Sequence, residues 1–468
     1  MSNDPHVAKS RIASEGLKNR VVRHTSELVR LAGPIVVSRS GFLMLALADT
    51  VMTGRYSTVE LAYLSIGMGV VMPLLVTAIG MIMGTLILTA NAFGGERYRE
   101  CGPVWRRSLV YACILGSGCV VVGFFGESLM LLLGQTTDVA HDGGEIFLIL
   151  SLGLPGHLLF LSSSYFLEGI GRPKMGMFVM IWANILNVIL NWVLIDGTSW
   201  FGPLGSEGAA WATTASRWFM ACSAAGIVWY MADHERFNIR GKLTGGFSSW
   251  QELRRMGYAI GLSVGVESTA FAALNVIAGW LGKLPLAAYG LTLNLVALAF
   301  MIAIGVGSAT AVRVGVASGR GDHQDAALAG WTGLGVSSVG MLIAGISAYF
   351  FAGPLAGIYT DDPALLREAI ISVAFIAWVF VPDGGQAVMA NALRGRKDVW
   401  APSIIQTVSF YGVLVPVGYT SAIIFETGVV GLFHGILCGC TVSLIWLSLR
   451  FHRLARRDIK NAEARNLQ

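Results

Sequence analysis

Long apolar runs, separated by short polar segments, follow one another along almost the whole chain. An α-helix needs about 20 apolar residues to cross the roughly 30 Å hydrocarbon core of a bilayer, and each run reaches or approaches that length. Twelve spans are predicted, at 31–54, 61–90, 108–133, 145–167, 175–195, 208–231, 256–281, 286–312, 328–351, 369–391, 402–425 and 429–449. The runs are too uniformly apolar for the alternating strands of an outer-membrane barrel. The pattern therefore predicts an all-α polytopic membrane protein.

The composition agrees with this prediction. The chain has 468 residues, of which 54% are hydrophobic and 13% are charged. Soluble globular domains contain about 25% charged residues, and a chain with so few charges could not cover a water-exposed surface. No cleavable signal peptide is expected, because residues 1–30 are polar and basic and contain no apolar core.

Lys and Arg residues are distributed unevenly among the segments that join the spans. Of the 33 Lys and Arg, all but five lie in the N-terminal arm or in the segments after even-numbered spans. The exceptions are Arg55, Lys283 and Arg367 in the other segments, and Arg39 and Arg217 inside spans. The positive-inside rule then places both termini in the cytoplasm. The basic clusters are interpreted as anchors on anionic membrane lipid, and no nucleic-acid partner is expected.

Several function classes lack their sequence signatures. No phosphate-binding GxxxxGK[ST] loop is present, which argues against an ATP-driven pump, and neither GxSxG nor HExxH occurs. The six cysteines have neither disulfide-framework nor metal-ligand spacing. His157 and His434 lie inside spans, where packing or helix–helix hydrogen bonding is the usual role. The chain is predicted not to be an enzyme and to need no cofactor.

An internal repeat relates the two halves of the chain. Residues 27–97 align without a gap to residues 252–322 at a shift of 225, as in "ELVRLAGPIVVS" against "ELRRMGYAIGLS". About fifteen identities line up, which marks a duplication. Six spans per half give both halves the same orientation, so they are predicted to be related by an axis along the membrane normal. Two such lobes around a central cavity, which rock to open it to each side in turn, are typical of a secondary transporter.

The repeat and the polar segments together predict a domain division. It comprises a cytoplasmic arm at 1–26, an N-lobe at 27–232, a cytoplasmic linker at 233–252, a C-lobe at 253–450 and a basic cytoplasmic tail at 451–468.

Four acidic residues lie at membrane depth: Asp49, Glu168, Glu267 and Asp383. A carboxylate inside a span costs at least about 2.5–3.5 kcal/mol on insertion scales, so each is a candidate functional residue. Glu168 is close to the cytoplasmic "GRPK" turn, and we expect it to reach the interface or to pair with Arg172. Asp49, Glu267 and Asp383 remain as candidate cation- or proton-coupling groups, with a buried ion pair to Arg39 or Arg217 as the alternative.

The surroundings of Glu267 and Asp383 suggest cation ligands. Pro382 removes a backbone donor and Gly384–Gly385 weaken the helix beyond it, so freed carbonyls could join the Asp383 carboxylate. Glu267 has Ser263 and Thr269 as helical neighbours. Hard cations such as Na⁺ prefer oxygen ligands, so a Na⁺ site at these two acids is possible, whereas a proton needs only a carboxylate to neutralise. The sequence does not decide between the two ions.

Span 5 adds Asn187 and Asn191, which are four residues apart and share one helix face. Interhelical hydrogen bonding and a supporting role in the ion site are equally open for them. Both roles place this face inside the bundle. The Gly-rich spans 2, 8 and 11 are interpreted as places of close helix packing.

At these residues the chain resembles the multidrug and toxic compound extrusion (MATE) family, and most closely its NorM-like bacterial branch. The stretches that carry the resemblance are "ADTVMTGRYSTVELAYLSIG" (48–67), "NVILNW" (187–192), "GAAWATT" (208–214), "AVRVGVASGRGD" (311–322), "GIYTDDPAL" (357–365) and "PDGGQAVMANALRGRKDVW" (382–400). The chain departs from the family at Ala259, Gly290 and Val379, where relatives often have Pro, Gln and an aromatic residue.

The resemblance implies a cation-coupled exporter of organic cations and drugs. We expect the exporter to lie in a bacterial inner membrane and to work as a monomer. It implies that Asp49 with Asn187 and Asn191 forms an N-lobe ion and proton site, and that Glu267 and Asp383 form a C-lobe cation site. The alternatives are a lipid-linked-precursor flippase or another twelve-helix secondary transporter. A flippase would need a strongly cationic cavity for diphosphate, and only Arg39 and Arg217 lie within spans.

Overall fold

The long apolar runs form helices. The computed structural model describes residues 17–132, 134–197, 202–242 and 250–466, and these residues contain helices, turns and no strand. The helices are α1 (Leu17–Tyr56), α2 (Thr58–Ile82), α3 (Gly84–Gly94), α4 (Tyr98–Gly123), α5 (Gly126–Leu132), α6 (Thr137–Leu152), α7 (Leu154–Gly169), α8 (Pro173–Ile195), α9 (Gly205–Trp229), α10 (Gln251–Leu281), α11 (Lys283–Gly319), α12 (His323–Phe350), α13 (Ala352–Gly357), α14 (Pro363–Gly395), α15 (Trp400–Ser409), α16 (Val415–Tyr419) and α17 (Val429–Asn466). Two π-helical turns, Phe410–Leu414 and Thr420–Ile424, flank α16.

The predicted spans correspond to these helices, and the all-α polytopic fold is confirmed. Eleven segments of the described residues are long and apolar enough to cross a membrane. Predicted span 6 corresponds to α9, a helix of 25 residues that is not among the eleven. Its many Ala, Gly, Ser and Thr residues and the buried Arg217 make it less apolar than the others. Predicted span 3 begins with α4, which starts at Tyr98, well before the predicted position 108.

The polar ends of the chain continue neighbouring helices. The helix α1 starts at Leu17, inside the arm predicted at 1–26, and α17 continues to Asn466 through the predicted tail. Residues 243–249 of the predicted linker lie outside the described residues. Nearby, Arg106 of α4 donates hydrogen bonds to the carbonyls of Ile239 and Lys242 at 2.8 and 3.0 Å, which ties this part of the linker to the N-lobe.

The internal repeat reappears in the helix boundaries. The helix α1 ends at Tyr56 and α10 at Leu281, and α3 ends at Gly94 and α11 at Gly319. Each pair of ends is separated by the same shift of 225 residues that aligns the two halves of the sequence. The two halves therefore end these helices at equivalent positions, although the N-lobe segment is divided at Met83 into α2 and α3 and its C-lobe counterpart α11 is continuous.

Close glycine contacts join the two halves, and they obey the repeat. A Cβ placed on Gly80 would lie 2.9 Å from the Cα atom of Gly261, and one on Gly305 would lie 3.0 Å from the Cα atom of Val36. A shift of 225 converts Gly80 into Gly305 and Val36 into Gly261. These two contacts are thus the same contact seen from each half, as expected for a pseudo-twofold axis between α1–α3 and α10–α11.

A second symmetric pair lies at the ends of α3 and α11. A Cβ on Gly94 would approach the carbonyl oxygen of Val316 to 2.1 Å, and one on Gly319 would approach that of Asn91 to 2.1 Å. Gly69, Gly279 and Gly290, nearer the opposite ends of the same helices, have no such neighbour within 4 Å. We call the close glycine contacts the interlobe seam. It lies toward the predicted cytoplasmic side, and the close packing expected for Gly-rich spans 2 and 8 is confirmed.

The seam predicts different effects for two glycines of α2. We expect Gly80→Ala to lower the melting temperature in detergent, because its Cβ meets backbone that must shift, at a typical overpacking cost of about 1–3 kcal/mol. Gly69→Ala has open space and should raise it slightly, since Ala in a helix is favoured over Gly by about 1 kcal/mol. Tryptophan fluorescence during heating measures both. Equal melting temperatures for the two variants would contradict the seam.

A cluster of charged residues joins the beginning of α1 to the C-lobe on the same side. The Asp325 carboxylate is buried, and its oxygens lie 2.9 Å from Arg20 Nη2, 3.0 Å from His24 Nε2 and 3.0 Å from Arg320 Nη2. Arg313 contacts His24 Nδ1 at 2.9 Å. The Asp325 carboxylate contacts basic side chains from α1 and from the α11–α12 turn, so it connects the first helix to the C-lobe.

Asp325→Ala is expected to lower the melting temperature strongly. Removing one partner of a buried ion pair costs about 3–5 kcal/mol, because the partly buried arginines that surrounded the carboxylate then lie close together without a counter-ion. Asp361→Ala, at an exposed acid of the same lobe, is the control and should change little. If Asp325→Ala melts like the control, the cluster does not hold α1 in place.

Candidate functional site

The N-lobe places Asp49 of α1 against α8 and α9. Its side chain is buried, and Oδ1 accepts hydrogen bonds from Asn191 Nδ2 at 2.7 Å and from Asn187 Nδ2 at 3.1 Å. The hydroxyl of Thr213 donates to Oδ2. Asn187 and Asn191 lie one turn apart on α8, and this spacing lets both amides reach the same carboxylate. The sequence prediction that these three residues belong together agrees with this geometry.

One hydrogen-bond acceptor of the Asp49 site has no donor among the described residues. Asn191 Nδ2 donates to Asp49 Oδ1 and to Asn187 Oδ1. The Oδ1 atom of Asn191 is buried and has no hydrogen-bond partner. All three groups that donate to the carboxylate are neutral. A buried carboxylate beside an unsatisfied amide oxygen is an environment that favours a cation or a proton.

The two arginines of the N-lobe spans do not neutralise Asp49 by contact. Arg217 donates to the carbonyl of Leu150 at 2.9 Å, and its charge acts on Asp49 only from a distance. Arg39 forms a buried ion pair with Glu168 at 2.9 Å. In the described part of the chain, Asp49 has no ion pair, so the alternative of a buried salt bridge is not realised for it.

The prediction for Glu168 was wrong. Glu168 is 2% exposed and pairs with Arg39, while Arg172 pairs with Asp233 at the surface. Ser164 adds a hydrogen bond to the same carboxylate oxygen at 3.0 Å. The sequence suggested Arg172 because it is near in the chain, but α7 turns the Glu168 side chain inward, toward α1.

The C-lobe brings Glu267 of α10 and Asp383 of α14 to the same amide. Gln386 Nε2 donates to Glu267 Oε1 at 3.3 Å, and Gln386 also faces Asp383, which lies three residues before it on α14. Cys440 Sγ donates to Asp383 Oδ1 at 3.5 Å. Neither acid has an ion pair among the described residues, so here too the charge lacks a contacting cation.

The helix around Asp383 is more regular than the sequence suggested. The helix α14 continues from Pro363 to Gly395 through Pro382 without a break. A Cβ on Gly384 would lie 2.6 Å from Met341 Cγ, and one on Gly385 would lie 3.1 Å from Leu444. These glycines therefore allow neighbouring helices to pack closely, and the expected weakening of the helix is not seen.

Several residues of the two sites were not identified from the sequence. They are Thr213 in the N-lobe, and Gln386, Gln406, Arg394 and Cys440 in the C-lobe. Ser263, named as a helical neighbour of Glu267, contacts Gln406 instead, and Thr269 hydrogen-bonds to its own helix and to Tyr411. An uncharged polar residue in an apolar span was the available signal, but only the packing of the helices shows which acid it serves.

The two intramembrane histidines take packing and hydrogen-bonding roles. His434 Nδ1 lies 2.8 Å from the hydroxyl of Ser421, which is a hydrogen bond between neighbouring helical segments. His157 packs on Phe42 with the ring centroids 4.5 Å apart. No group of three or more His, Cys, Asp or Glu residues in the described ranges is arranged to hold a metal ion.

Comparison with known proteins decides the family. The MatE family model matches residues 34–193 and 259–420 of the chain. A curated relative from Caulobacter vibrioides, named probable multidrug resistance protein NorM, is 34% identical over 438 residues, which cover 93% of each chain. The chain is a member of the MATE family. The NorM-like resemblance of the sequence is thereby confirmed.

Other relatives and solved structures agree with this membership. The multidrug resistance protein PmpM of Pseudomonas aeruginosa is 28% identical over 464 residues, covering 96% of this chain and 95% of its own. The eukaryotic MATE transporter AtDTX14 superposes with a TM-score of 0.86 at 19% identity, covering 94% of this chain and 99% of its own. An outward-facing multidrug resistance MATE transporter also gives 0.86, at 21% identity, with 93% and 97% covered.

Family membership fixes the general activity. The MATE chain described here is a multi-pass membrane transporter of the multidrug efflux family and is not an enzyme. The acids of its two sites, Asp49, Glu267 and Asp383, lie within the residue ranges that the family model matches. The solved structures share the fold at low sequence identity, so they establish the architecture of the MATE chain and nothing finer.

Thr213 provides a test of the Asp49 site. We expect Thr213→Val to lower the melting temperature, because a hydrogen bond to a charged group contributes about 1.5–3 kcal/mol and the variant keeps the shape while removing the donor. Thr213→Ser keeps the hydroxyl and should stay close to the parent. In an Asp49→Leu background the two substitutions should differ little. A similar loss for Val and Ser in the parent would indicate a packing effect alone.

Proposed function

We propose that the MATE chain exports organic cations in exchange for Na⁺ or H⁺ by alternating access. Asp49 is the coupling group of the N-lobe, supported by Asn187 and Asn191. Glu267 and Asp383 form the coupling site of the C-lobe and provide oxygen ligands when the ion is Na⁺.

The observation that carries this proposal is that none of the three acids has a contacting counter-ion among the described residues. Asp49 and Asp383 are 1% and 2% exposed, and neutral groups are their hydrogen-bond donors. Glu267 likewise receives its hydrogen bond from an amide. Glu168, by contrast, has a contacting arginine. An intramembrane acid that is left without a counter-ion is costly, and its usual compensation is an ion or proton that binds during the transport cycle.

Exchange follows from competition for the same negative charges. An organic cation binds the ionised carboxylates from the inside, and Na⁺ or H⁺ from the outside neutralises them and lowers their affinity for it. The ion can shift the equilibrium between inward- and outward-open states only by its differential affinity for the two. The interlobe seam supports this cycle, because it holds the two lobes in contact on the predicted cytoplasmic side. Toward the predicted outer side, a Cβ on Gly69, Gly279 or Gly290 would have no neighbour within 4 Å.

A flippase for lipid-linked diphosphates receives less support. Its cavity would need free cationic groups, whereas Arg39 is paired with Glu168 and Arg217 donates to a backbone carbonyl. We further propose that the chain lies in the inner membrane with both termini cytoplasmic and works as a monomer. The proposed orientation of the termini rests on the positive-inside distribution of Lys and Arg.

Efflux from proteoliposomes tests the proposal. The purified protein is reconstituted, and export of a fluorescent organic cation is driven separately by a Na⁺ gradient and by a pH gradient. We expect at least one gradient to drive export, and Asp49→Asn and Asp383→Asn each to reduce it about tenfold or more, within the range of typical coupling free energies. Each substitution keeps the size of the side chain and removes its charge.

The matched control is Asp361→Asn, which removes the charge of an exposed acid outside the two sites. It should leave export unchanged. Absence of a response to either gradient in the parent protein would overturn antiport. Full gradient-driven export by both Asp49→Asn and Asp383→Asn would show that these acids do not couple transport to the ion.

A further inference from the structure

Arg394 lies at the predicted cytoplasmic end of α14, one residue before its final glycine, and is 5% exposed. Its Nη2 atom donates to Ser263 Oγ and to Gln406 Oε1, both at 3.1 Å, and Nη1 reaches Asn391 Oδ1 at 3.3 Å. The guanidinium therefore joins α14 to α10 and α15. Its acceptors are all uncharged.

The hydrogen bonds continue from Arg394 to Glu267. Gln406 Nε2 donates to Gln386 Oε1 at 2.7 Å, and Gln386 Nε2 donates to Glu267 Oε1 at 3.3 Å. We call this chain, Arg394–Gln406–Gln386–Glu267, the amide relay. It connects the end of α14 with the coupling acid through two side-chain amides.

The direction of the amide relay is fixed by chemistry. A guanidinium can only donate, so the Gln406 atom that faces Arg394 must be the amide oxygen. Ser263 also donates to this oxygen, which strengthens the same orientation. The NH₂ group of Gln406 then points to Gln386, which must accept with its oxygen and offer its own NH₂ group to Glu267. Each amide has one acceptor end and one donor end, so one end determines the other.

The electrostatics of Arg394 point to the same connection. Among the described residues Arg394 has no carboxylate in ion-pair contact, and its Nε atom is buried without a hydrogen-bond partner. A buried cation without a counter-ion is costly. The acidic group whose charge acts on Arg394 is Glu267, and Tyr165 of the N-lobe also faces it. The amide relay joins this cation to that anion without direct contact.

The end of α7 in the N-lobe has a different arrangement. Glu168 lies one residue before the final glycine of α7, and it pairs directly with Arg39. Arg394 lies at the same distance from the end of α14, and no acid is in ion-pair contact with it among the described residues. The amide relay is therefore a feature of the C-lobe alone, and it ends on the acid to which the proposed function assigns ion coupling.

We propose that Arg394 is a positioning residue that orients the Gln406 and Gln386 amides so that an N–H group is always presented to Glu267. This proposal rests on the proposed role of Glu267 in ion coupling. Gln386 holds Oε1 of the carboxylate, which leaves Oε2 for the ion. Without Arg394, the hydroxyl of Ser263 is the remaining group that orients Gln406, and a hydroxyl can either donate or accept. Both amides can then turn over, and a carbonyl oxygen can face the carboxylate and repel it.

The test measures how export of a fluorescent organic cation from proteoliposomes depends on the coupling ion. The Na⁺ concentration and the pH are each varied for the parent and for Arg394→Met, Arg394→Lys and Gln406→Met. Arg394→Met and Gln406→Met should displace the half-maximal point of the ion profile by about tenfold, the effect of losing one hydrogen bond to a charged group. Arg394→Lys keeps a donor and should stay near the parent.

Two variants separate this proposal from simpler explanations. Gln406→Met keeps the Arg394 charge, so an unchanged profile for it would mean that the charge acts through space and would overturn the amide relay. Asn391→Ala removes an Arg394 acceptor that lies outside the relay and should leave the profile unchanged. A loss of maximal rate with no displacement of the profile would assign Arg394 a structural role and also overturn the proposal.

A second readout does not depend on transport. Melting temperatures of Gln406→Met, Glu267→Gln and the double variant form a double-mutant cycle, which isolates the interaction between the two positions. Gln406 is uncharged, so this cycle contains no direct interaction between the Arg394 and Glu267 charges. A non-additive result supports the amide relay even if the parent shows no ion-driven export, which would overturn only the proposed function. An additive result would overturn the amide relay, whatever the outcome of the transport assay.

Discussion

The cost of burying a carboxylate in a bilayer is the constraint on which the rest of this structure depends. For Glu168 this cost is offset by an ion pair with Arg39, which joins the helices α1 and α7. For Asp49 the same cost is offset only by two amides and a hydroxyl, which donate hydrogen bonds but do not neutralise the charge. The difference separates an acid that joins two helices through an ion pair from one whose charge has no contacting counter-ion among the described residues.

The duplication explains how the two lobes that carry these sites contact each other. The contact of Gly80 with Gly261 and that of Gly305 with Val36 are equivalent under the repeat, so both lobes meet through the same short backbone approach. Small residues at this seam bring the helices together without large side chains that interlock. The Asp325 cluster is an added charged connection between the lobes on the same side.

The sites themselves did not keep the symmetry of the scaffold. The repeat counterpart of Asp49 is Leu274, which is buried in the C-lobe core, and that of Glu267 is Phe42, which packs on His157. The lobes instead use different acids supported by different amides, Asn187 and Asn191 in one and Gln386 in the other.

The sequence by itself determined the lipid environment, the helical spans, the repeat and the short list of acids. These properties depend on local composition, on the period of the helix and on the cost of charge in hydrocarbon, which can be read along one chain. Only the tertiary structure decided which partner each acid has. Glu168 met Arg39 and not Arg172, Asp49 gained Thr213, and Gln386 came to Glu267. Such partners lie more than a hundred residues apart, and their meeting depends on how helices rotate and pack, which no local pattern encodes.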